Sequence, residues 1–177
     1  MSQRIKAAAL FAAAKHQDQK YGETHAYTRH LYDVSKVLER FKFLDEDLQV
    51  AAWLHDTVED TTATVDEIMD MFGINVADIV QRVTNEPGVN RKARHALTYP
   101  KIQASDDATT LKLADRIANV EFSIENESSQ LEMYTKEHTA FKKALYKPGV
   151  HDAMWRHLDF LIGEIFDPNN ILGKLNK

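Results

Sequence analysis

The stretch that decides the fold is AAWLHDTVEDT, residues 51–61. Its apolar lead-in, residues 51–54, predicts that His55 and Asp56 lie partly buried near a helix end. A buried carboxylate is costly unless it is paired or bound to a metal. Glu59 and Asp60 follow at once, and clustered acids near a helix C-terminus repel one another and oppose the helix dipole. The stretch therefore favours a cation-dependent catalytic site over its alternative, a solvated acidic helix end.

The same dipeptide occurs a second time in the chain, as His151-Asp152. This pair follows Pro148-Gly149 at a predicted helix start, where an aspartate is favoured by the helix dipole. No acidic cluster follows it. We therefore interpret the second pair as structural, and it shows that an isolated His-Asp dipeptide is weak evidence for a site.

Helical periodicity dominates the rest of the sequence, and sustained period-two alternation is absent. Residues 28–40, for example, place apolar side chains at helical spacing, and Asp45, Thr64 and Asn90 are candidate helix caps. The length indicates one domain, residues 1–177. The sequence predicts an all-α, single-domain orthogonal multi-helix bundle of about eight helices. The predicted segments are 3–19, 28–40, 46–58, 64–73, 75–84, one after Asn90, 107–125, 129–146 and 150–166.

Composition narrows the possible functions. The chain has no cysteine, which excludes disulfides and thiolate metal sites, and its net charge of −5 argues against nucleic acid as a partner. No apolar run reaches the length of about 20 residues that crosses a bilayer. The alanine-rich start is interpreted as a first helix rather than a signal peptide. We expect a cytoplasmic protein with no membrane partner, and a homo-oligomer is possible.

Four side chains stand out as candidate metal ligands, namely His30, His55, Asp56 and Asp115. They lie on three predicted helices, and a helical bundle can bring such side chains together in its core. A set of imidazoles and carboxylates suits Mn²⁺, Fe²⁺, Co²⁺, Ni²⁺ or Zn²⁺. Taken singly, His30 would be structural, and Asp115 could be the ion-pair partner of a neighbouring basic residue, Arg116 or Lys112.

These four residues, in this order, resemble the H…HD…D signature of the HD-domain phosphohydrolases. The blocks LHDTVEDT (residues 54–61) and KLADRIAN (residues 112–119) are similar to the hydrolase branch of the RelA/SpoT proteins and to the stand-alone small alarmone hydrolases. The motif-bearing part spans about residues 5–125. Helices in 126–166 are expected to complete the bundle.

The resemblance implies hydrolysis of the 3′-pyrophosphate of ppGpp or pppGpp, a small-molecule nucleotide substrate, with one divalent ion, usually Mn²⁺. It implies that the four candidates are the ligands and that Glu59 and Asp60 orient or deprotonate the attacking water. Five further residues are expected to contact the substrate: Lys15, Arg91, Lys92, Arg116 and Asn119. The length of the chain implies a hydrolase without the synthetase domain of the long family members.

Two positions depart from the family pattern. Ala14 stands where the family usually has an arginine that holds the guanine base, and Leu31 replaces a proline. The base preference therefore stays open, and an HD-family phosphatase for another nucleotide or nucleotide cofactor, such as an adenine alarmone, NADPH or a nucleoside monophosphate, is the alternative. Two other classes are a non-catalytic nucleotide-binding module and a purely structural helical protein.

Overall fold

The computed structural model describes residues 1–163, and this part of the chain is an all-α bundle, as predicted. It contains nine helices of eight or more residues, one short helical turn and one small hairpin. The elements are α1 (Gln3–His16), β1 (Lys20–Tyr21), β2 (His25–Ala26), α2 (Thr28–Arg40), α3 (Glu46–Leu54), α4 (Thr57–Asp60), α5 (Val65–Phe72), α6 (Ile74–Val83), α7 (Arg91–Gln103), α8 (Asp106–Glu125), α9 (Gln130–Leu145) and α10 (Asp152–Leu161).

The long helix α8 forms the centre of the bundle. It packs against α2, α3, α6, α7, α9 and α10. Most of its apolar residues are buried, and Leu111, Leu113 and Ile117 are fully buried. Burying such side chains contributes about 1.5–3 kcal/mol each. The middle of α8 is therefore surrounded by other helices, and that places Asp115 where several elements can reach it.

The helix starts follow the predicted capping residues. Asp45, Thr64 and Asn90 each accept a hydrogen bond from the backbone N–H three residues later. Such a cap satisfies one of the backbone donors that a helix N-terminus leaves free. The three predicted caps are confirmed.

The region after α1 differs from the prediction of a helix over 3–19. The helix ends at His16, and a two-stranded antiparallel hairpin pairs Lys20 with Ala26 and Tyr21 with His25. Gly22 turns this hairpin with φ of +63°, and an added Cβ there would lie 2.9 Å from the Phe122 ring. Glycine fits both demands because it lacks a Cβ. Two-residue strands are too short for an alternating pattern to reveal.

The C-terminal part follows the predicted order, with α9 and α10 on either side of Pro148-Gly149. Helix α10 ends at Leu161, and the predicted continuation over 164–166 lies outside the described residues. Across residues 1–163, every helix is too short or too polar to cross a membrane.

Candidate active site

The His55-Asp56 pair lies at a break in the helix predicted over 46–58. Helix α3 ends at Leu54, and the short turn α4 begins at Thr57. The Thr57 hydroxyl donates to the Leu54 carbonyl at 2.7 Å and so occupies an acceptor that the helix end leaves free. Neighbours on a continuous helix point about 100° apart. The break instead lets the His55 imidazole and the Asp56 carboxylate face the same point.

His30 from α2 and Asp115 from α8 meet this pair. The His30 Nε2 atom lies 3.3 Å from His55 Nε2, 3.4 Å from Asp56 Oδ2 and 3.3 Å from Asp115 Oδ1. His55 Nε2 lies 3.1 Å from Asp56 Oδ2 and 3.9 Å from Asp115 Oδ1. Both imidazoles are 2% exposed. Helices α2 and α8 and the α3–α4 break thus bring all four predicted ligands together.

The donor chemistry of this cluster fits a cation. The His55 Nδ1 atom lies 2.9 Å from the Ala52 carbonyl, a bond that Nδ1–H must donate, which leaves the Nε2 lone pair directed at the cluster. Metal-binding histidines commonly donate their second ring nitrogen to a carbonyl in this way. Two imidazole nitrogens and a carboxylate oxygen, from His30, His55 and Asp56, lie within 4.8 Å of one another. Such a group suits a borderline divalent ion.

The electrostatics of the cluster are those of tightly coupled buried groups. Burial alone would lower the pKa of His30, but hydrogen bonds to Asp115 and Asp56 raise it to about 9. Burial would raise the pKa of Asp56, but His55 and His30 hold it well below its ordinary value. A proton on His30 therefore stabilises the two carboxylates in the metal-free protein. A metal ion would replace that proton, because metal ligands bind in their deprotonated forms.

Tyr27 is a neighbour of the cluster to which sequence analysis gave no role. Its hydroxyl donates to Asp56 Oδ2 at 2.7 Å, and its ring stacks on the His16 imidazole with centroids 4.4 Å apart. Burial and the Asp56 charge raise the pKa of Tyr27, so this hydroxyl keeps its proton. The buried His16 thus supports a side chain that orients a candidate ligand.

Glu59 and Asp60 follow the break, and both line a cavity that also includes His30, Asp56 and Asp115 in its wall. The Asn85 backbone N–H and side-chain amide both donate to the Glu59 carboxylate, at 3.1 and 2.9 Å. Desolvation and the charges of Asp56 and Glu59 raise the pKa of Asp60. The predicted acidic pair is therefore held beside the cluster, with one member fixed in place.

A cavity of about 310 Å³ opens over the cluster. Asn119 lines it, donates to Asp115 Oδ1 at 2.5 Å and accepts from the Tyr21 hydroxyl at 3.1 Å. Lys112 also lines it and forms an ion pair of 2.9 Å with Asp115. Asp115 is therefore an ion-pair partner of Lys112, one of the two candidates, through Oδ2. The other carboxylate oxygen of Asp115, Oδ1, faces His30. Further lining residues are Lys20, Tyr21, Asn85, Arg91, His95, Arg116, Gln130 and Tyr134.

The structure separates the five predicted substrate contacts into two groups. Arg91, Arg116 and Asn119 line the cavity. Lys15 and Lys92 do not line it, and their assignment as substrate contacts stays a prediction. Lys15 is held by Glu67 at 2.8 Å. Lys92 is exposed and lines a separate cavity between α7 and α9.

Several cavity residues lay beyond sequence reasoning. Tyr21 is in the unpredicted hairpin, and Asn85 follows α6, where nothing marks it as close to Glu59. Gln130 and Tyr134 are on α9, in a segment without a recognisable motif. Lys112, by contrast, had been named as a possible ion-pair partner of Asp115, because it precedes Asp115 by three residues on one helix and so faces the same side.

Comparison with known proteins places this site in a family. Residues 8–141 match the family described as HD domain. The chain is 37% identical over 123 residues to a guanosine-3′,5′-bis(diphosphate) 3′-pyrophosphohydrolase of Aquifex aeolicus, and 36% identical over 116 residues to such an enzyme, MESH1, of Danio rerio. These matches cover 67% and 62% of this chain but 18% and 63% of the relatives, so the chain spans less than two thirds of their length.

Solved structures show the same fold. One of them, described as a metazoan ortholog of SpoT that hydrolyses ppGpp and plays a role in starvation responses, superposes with a TM-score of 0.79. That match covers 93% of this chain and 96% of the other, at 26% sequence identity. The similarity therefore includes α9 and α10, which lie at or beyond the end of the sequence motifs.

Proposed function

The chain belongs to the HD domain family, and we propose that it is a metal-dependent phosphohydrolase that removes the 3′-pyrophosphate of ppGpp or pppGpp. Water attacks the phosphorus next to the ribose 3′-oxygen, and GDP or GTP leaves together with pyrophosphate. The observation that carries the proposal is one cavity whose wall includes His30, Asp56 and Asp115, with the His55 imidazole directly behind it, its Nε2 atom 3.1 Å from Asp56 Oδ2. The names of the relatives support the guanosine substrate and give no support to the alternative nucleotides.

We propose that His30, His55, Asp56 and Asp115 hold one divalent ion, with Mn²⁺ as the expected species. When bound, such an ion acidifies a water molecule and offsets charge on phosphate oxygens. The chain prepares for it with Tyr27, which orients Asp56, and with Asn119 and Lys112, which orient Asp115. These contacts fix the donor atoms before binding, and outer contacts of this kind typically change metal affinity 10–100-fold.

Glu59 and Asp60 are the proposed proton-handling groups. A general base must reach the water that it deprotonates, and both carboxylates face the cavity beside Asp56. Glu59 has a fixed position because Asn85 holds both of its oxygens. The pKa of Asp60 is raised, which makes its carboxylate a better proton acceptor than that of an ordinary aspartate. We assign water orientation to Glu59 and a share of proton transfer to Asp60.

The proposed substrate contacts are those that line the cavity. Arg91 and Arg116 supply guanidinium groups for phosphate oxygens, and Asn119 lies where an amide can contact the sugar. For Lys15 and Lys92, which do not line the cavity, we keep the proposal that the resemblance implies, contact with phosphate groups or bracing of the site. A cytoplasmic location and a homo-oligomeric state stay predictions.

The test of this proposal is a product analysis. Purified protein is incubated with Mn²⁺ and ppGpp, and GDP and pyrophosphate are followed by chromatography, with Asp115→Asn measured beside the wild type. We expect equal amounts of GDP and pyrophosphate from the wild type and neither from the variant. Release of single phosphates, or hydrolysis of nucleoside monophosphates but not of ppGpp, would contradict the assigned reaction.

A further inference from the structure

Helix α9 contributes directly to the wall of the cavity, although its sequence carries no motif. Gln130 and Tyr134 line the cavity, and Glu137, one turn further along α9, reaches the two arginines that also line it. The Glu137 side chain is 23% exposed, whereas Glu132 on the same helix is 73% exposed. Glu137 is therefore the acid of α9 that is built into the site.

The Glu137 carboxylate bridges two elements. Its Oε1 atom accepts from Arg91 Nε on α7 at 2.6 Å, and its Oε2 atom accepts from Arg116 Nη1 on α8 at 3.2 Å. Each oxygen thus serves one guanidinium. Because hydrogen bonds between charged groups are short and directional, this bridge fixes the orientation of both arginines relative to each other.

The guanidinium groups of the two arginines have different surroundings. Arg116 is 4% exposed and lies between the rings of Tyr134 and Phe141, at 4.8 and 4.5 Å from their centroids. Arg91 is bound through Nε, and within residues 1–163 its Nη1 and Nη2 groups have no hydrogen-bond partner. Paired N–H groups of this kind match the oxygens of a phosphate.

We propose that Glu137 is a positioning residue that orients Arg91 and Arg116 to bind phosphate groups of the substrate. The inference rests on the proposed function, in that the ligand is a polyphosphate nucleotide. Glu137 holds Arg91 through Nε and leaves the two Nη groups of this cavity-lining residue without a hydrogen-bond partner in residues 1–163. Helix α9 thereby sets the affinity for the substrate without contributing a group to the reaction itself.

A competing role for Glu137 is simple neutralisation of the two arginines, and the two roles predict opposite signs. If Glu137 only cancels charge, its replacement by glutamine leaves the positive charges of Arg91 and Arg116 less neutralised, and anions bind more tightly. If Glu137 orients the arginines, the same replacement weakens anion binding because the guanidinium groups lose their fixed geometry. The sign of the change in affinity separates the two.

The experiment compares Glu137→Gln, Glu137→Asp and Glu132→Gln with the wild type. Glu132→Gln is the matched control, because it removes the same charge from the same helix and breaks only the exposed pair with Lys136. Two quantities are measured on the full chain: KM and kcat for ppGpp with Mn²⁺, and the affinity for inorganic pyrophosphate by calorimetry. Thermal unfolding of each variant shows whether the fold is kept.

We expect Glu137→Gln to raise KM and weaken pyrophosphate binding about tenfold, with kcat changed by less than about threefold. Glu137→Asp should recover part of the affinity, and Glu132→Gln should match the wild type. Unchanged or tighter pyrophosphate binding in a folded Glu137→Gln variant would overturn the inference, as would a wild type that does not bind pyrophosphate. If the wild type binds pyrophosphate, and Glu137→Gln weakens that binding, but ppGpp stays intact, only the proposed function is overturned.

Discussion

The chain carries the His-Asp dipeptide twice, and the two copies lie in very different surroundings. His55 and Asp56 lie at a helix break, and His30 and Asp115 meet them from two other helices. His151 instead adopts a left-handed conformation with φ of 57°, and its Nε2–H donates to the Thr110 hydroxyl at 2.7 Å. Asp152 accepts from the Gly149 backbone N–H at 3.2 Å.

The difference lies in which partners each side chain finds. Both imidazoles of the first site direct Nε2 at other ligand atoms, and across residues 1–163 His30, His55 and Asp56 are the one group of three or more that converges closely enough to hold a metal. In the second pair, His151 bonds to Thr110 on α8, and Asp152 accepts from the Gly149 backbone at the start of α10. A dipeptide becomes a metal site only where the fold adds further donors.

The largest expected effect separates the two aspartates. Asp56→Asn should lower kcat/KM for ppGpp by about a thousandfold or more, because it removes one of the proposed ligands and the charge that the cation needs. Asp152→Asn should change kcat/KM by less than about twofold. Steady-state kinetics with Mn²⁺ check this pair, and equal losses in both variants would show that the comparison is wrong.

The second prediction tests the acids that accompany only the first pair. Glu59→Gln should lower kcat about a hundredfold and leave Mn²⁺ binding unchanged, since Glu59 contacts Asn85 and the cavity but none of the proposed ligands. The control is Glu67→Gln, which removes a carboxylate paired with Lys15 outside the cavity. Loss of Mn²⁺ together with activity in Glu59→Gln would make Glu59 a ligand instead.

A smaller effect is expected at Tyr27. Tyr27→Phe removes the hydroxyl that donates to Asp56 at 2.7 Å and keeps the ring that stacks on His16. We expect Mn²⁺ affinity to fall about tenfold, within the range for contacts that orient a ligand. Tyr32→Phe on the exposed face of α2 is the control. Calorimetric titration with Mn²⁺ gives the result, and unchanged affinity would mean that Asp56 needs no orienting partner.

The smallest effect concerns the second pair and is one of stability. His151→Asn keeps a residue that tolerates positive φ but removes the bond to Thr110, so the free energy of unfolding should fall by about 1 kcal/mol without loss of activity.

Burial lowers the pKa of His151, so the unfolded chain takes up the proton first and the wild type loses stability as the pH falls below about 6.5. The variant should lose less over that range. Urea unfolding at several pH values checks both points, and a steeper pH dependence in the variant would contradict the stated role.

Sequence reasoning reached the fold class and the four convergent residues because both depend on local patterns. Helix caps such as Asp45 and the apolar spacing on α8 depend only on residues that are close in the sequence. The break after Leu54 was missed because His55 and Asp56 are compatible with a helix, and only the Thr57 hydroxyl bond and the packing of α4 decide it. Glu137 and Asn85 were out of reach because their roles come from long-range contacts with Arg91 and Glu59.

The most direct test of the account is the number of Mn²⁺ ions bound per chain, measured by titration with electron paramagnetic resonance detection of free Mn²⁺. The account predicts one tightly bound ion in the wild type and in Asp152→Asn, and none in Asp115→Asn or Asp56→Asn. One tightly bound ion in a folded Asp56→Asn or Asp115→Asn variant, or its loss in Asp152→Asn, would contradict the central claim that His30, His55, Asp56 and Asp115 form the metal site.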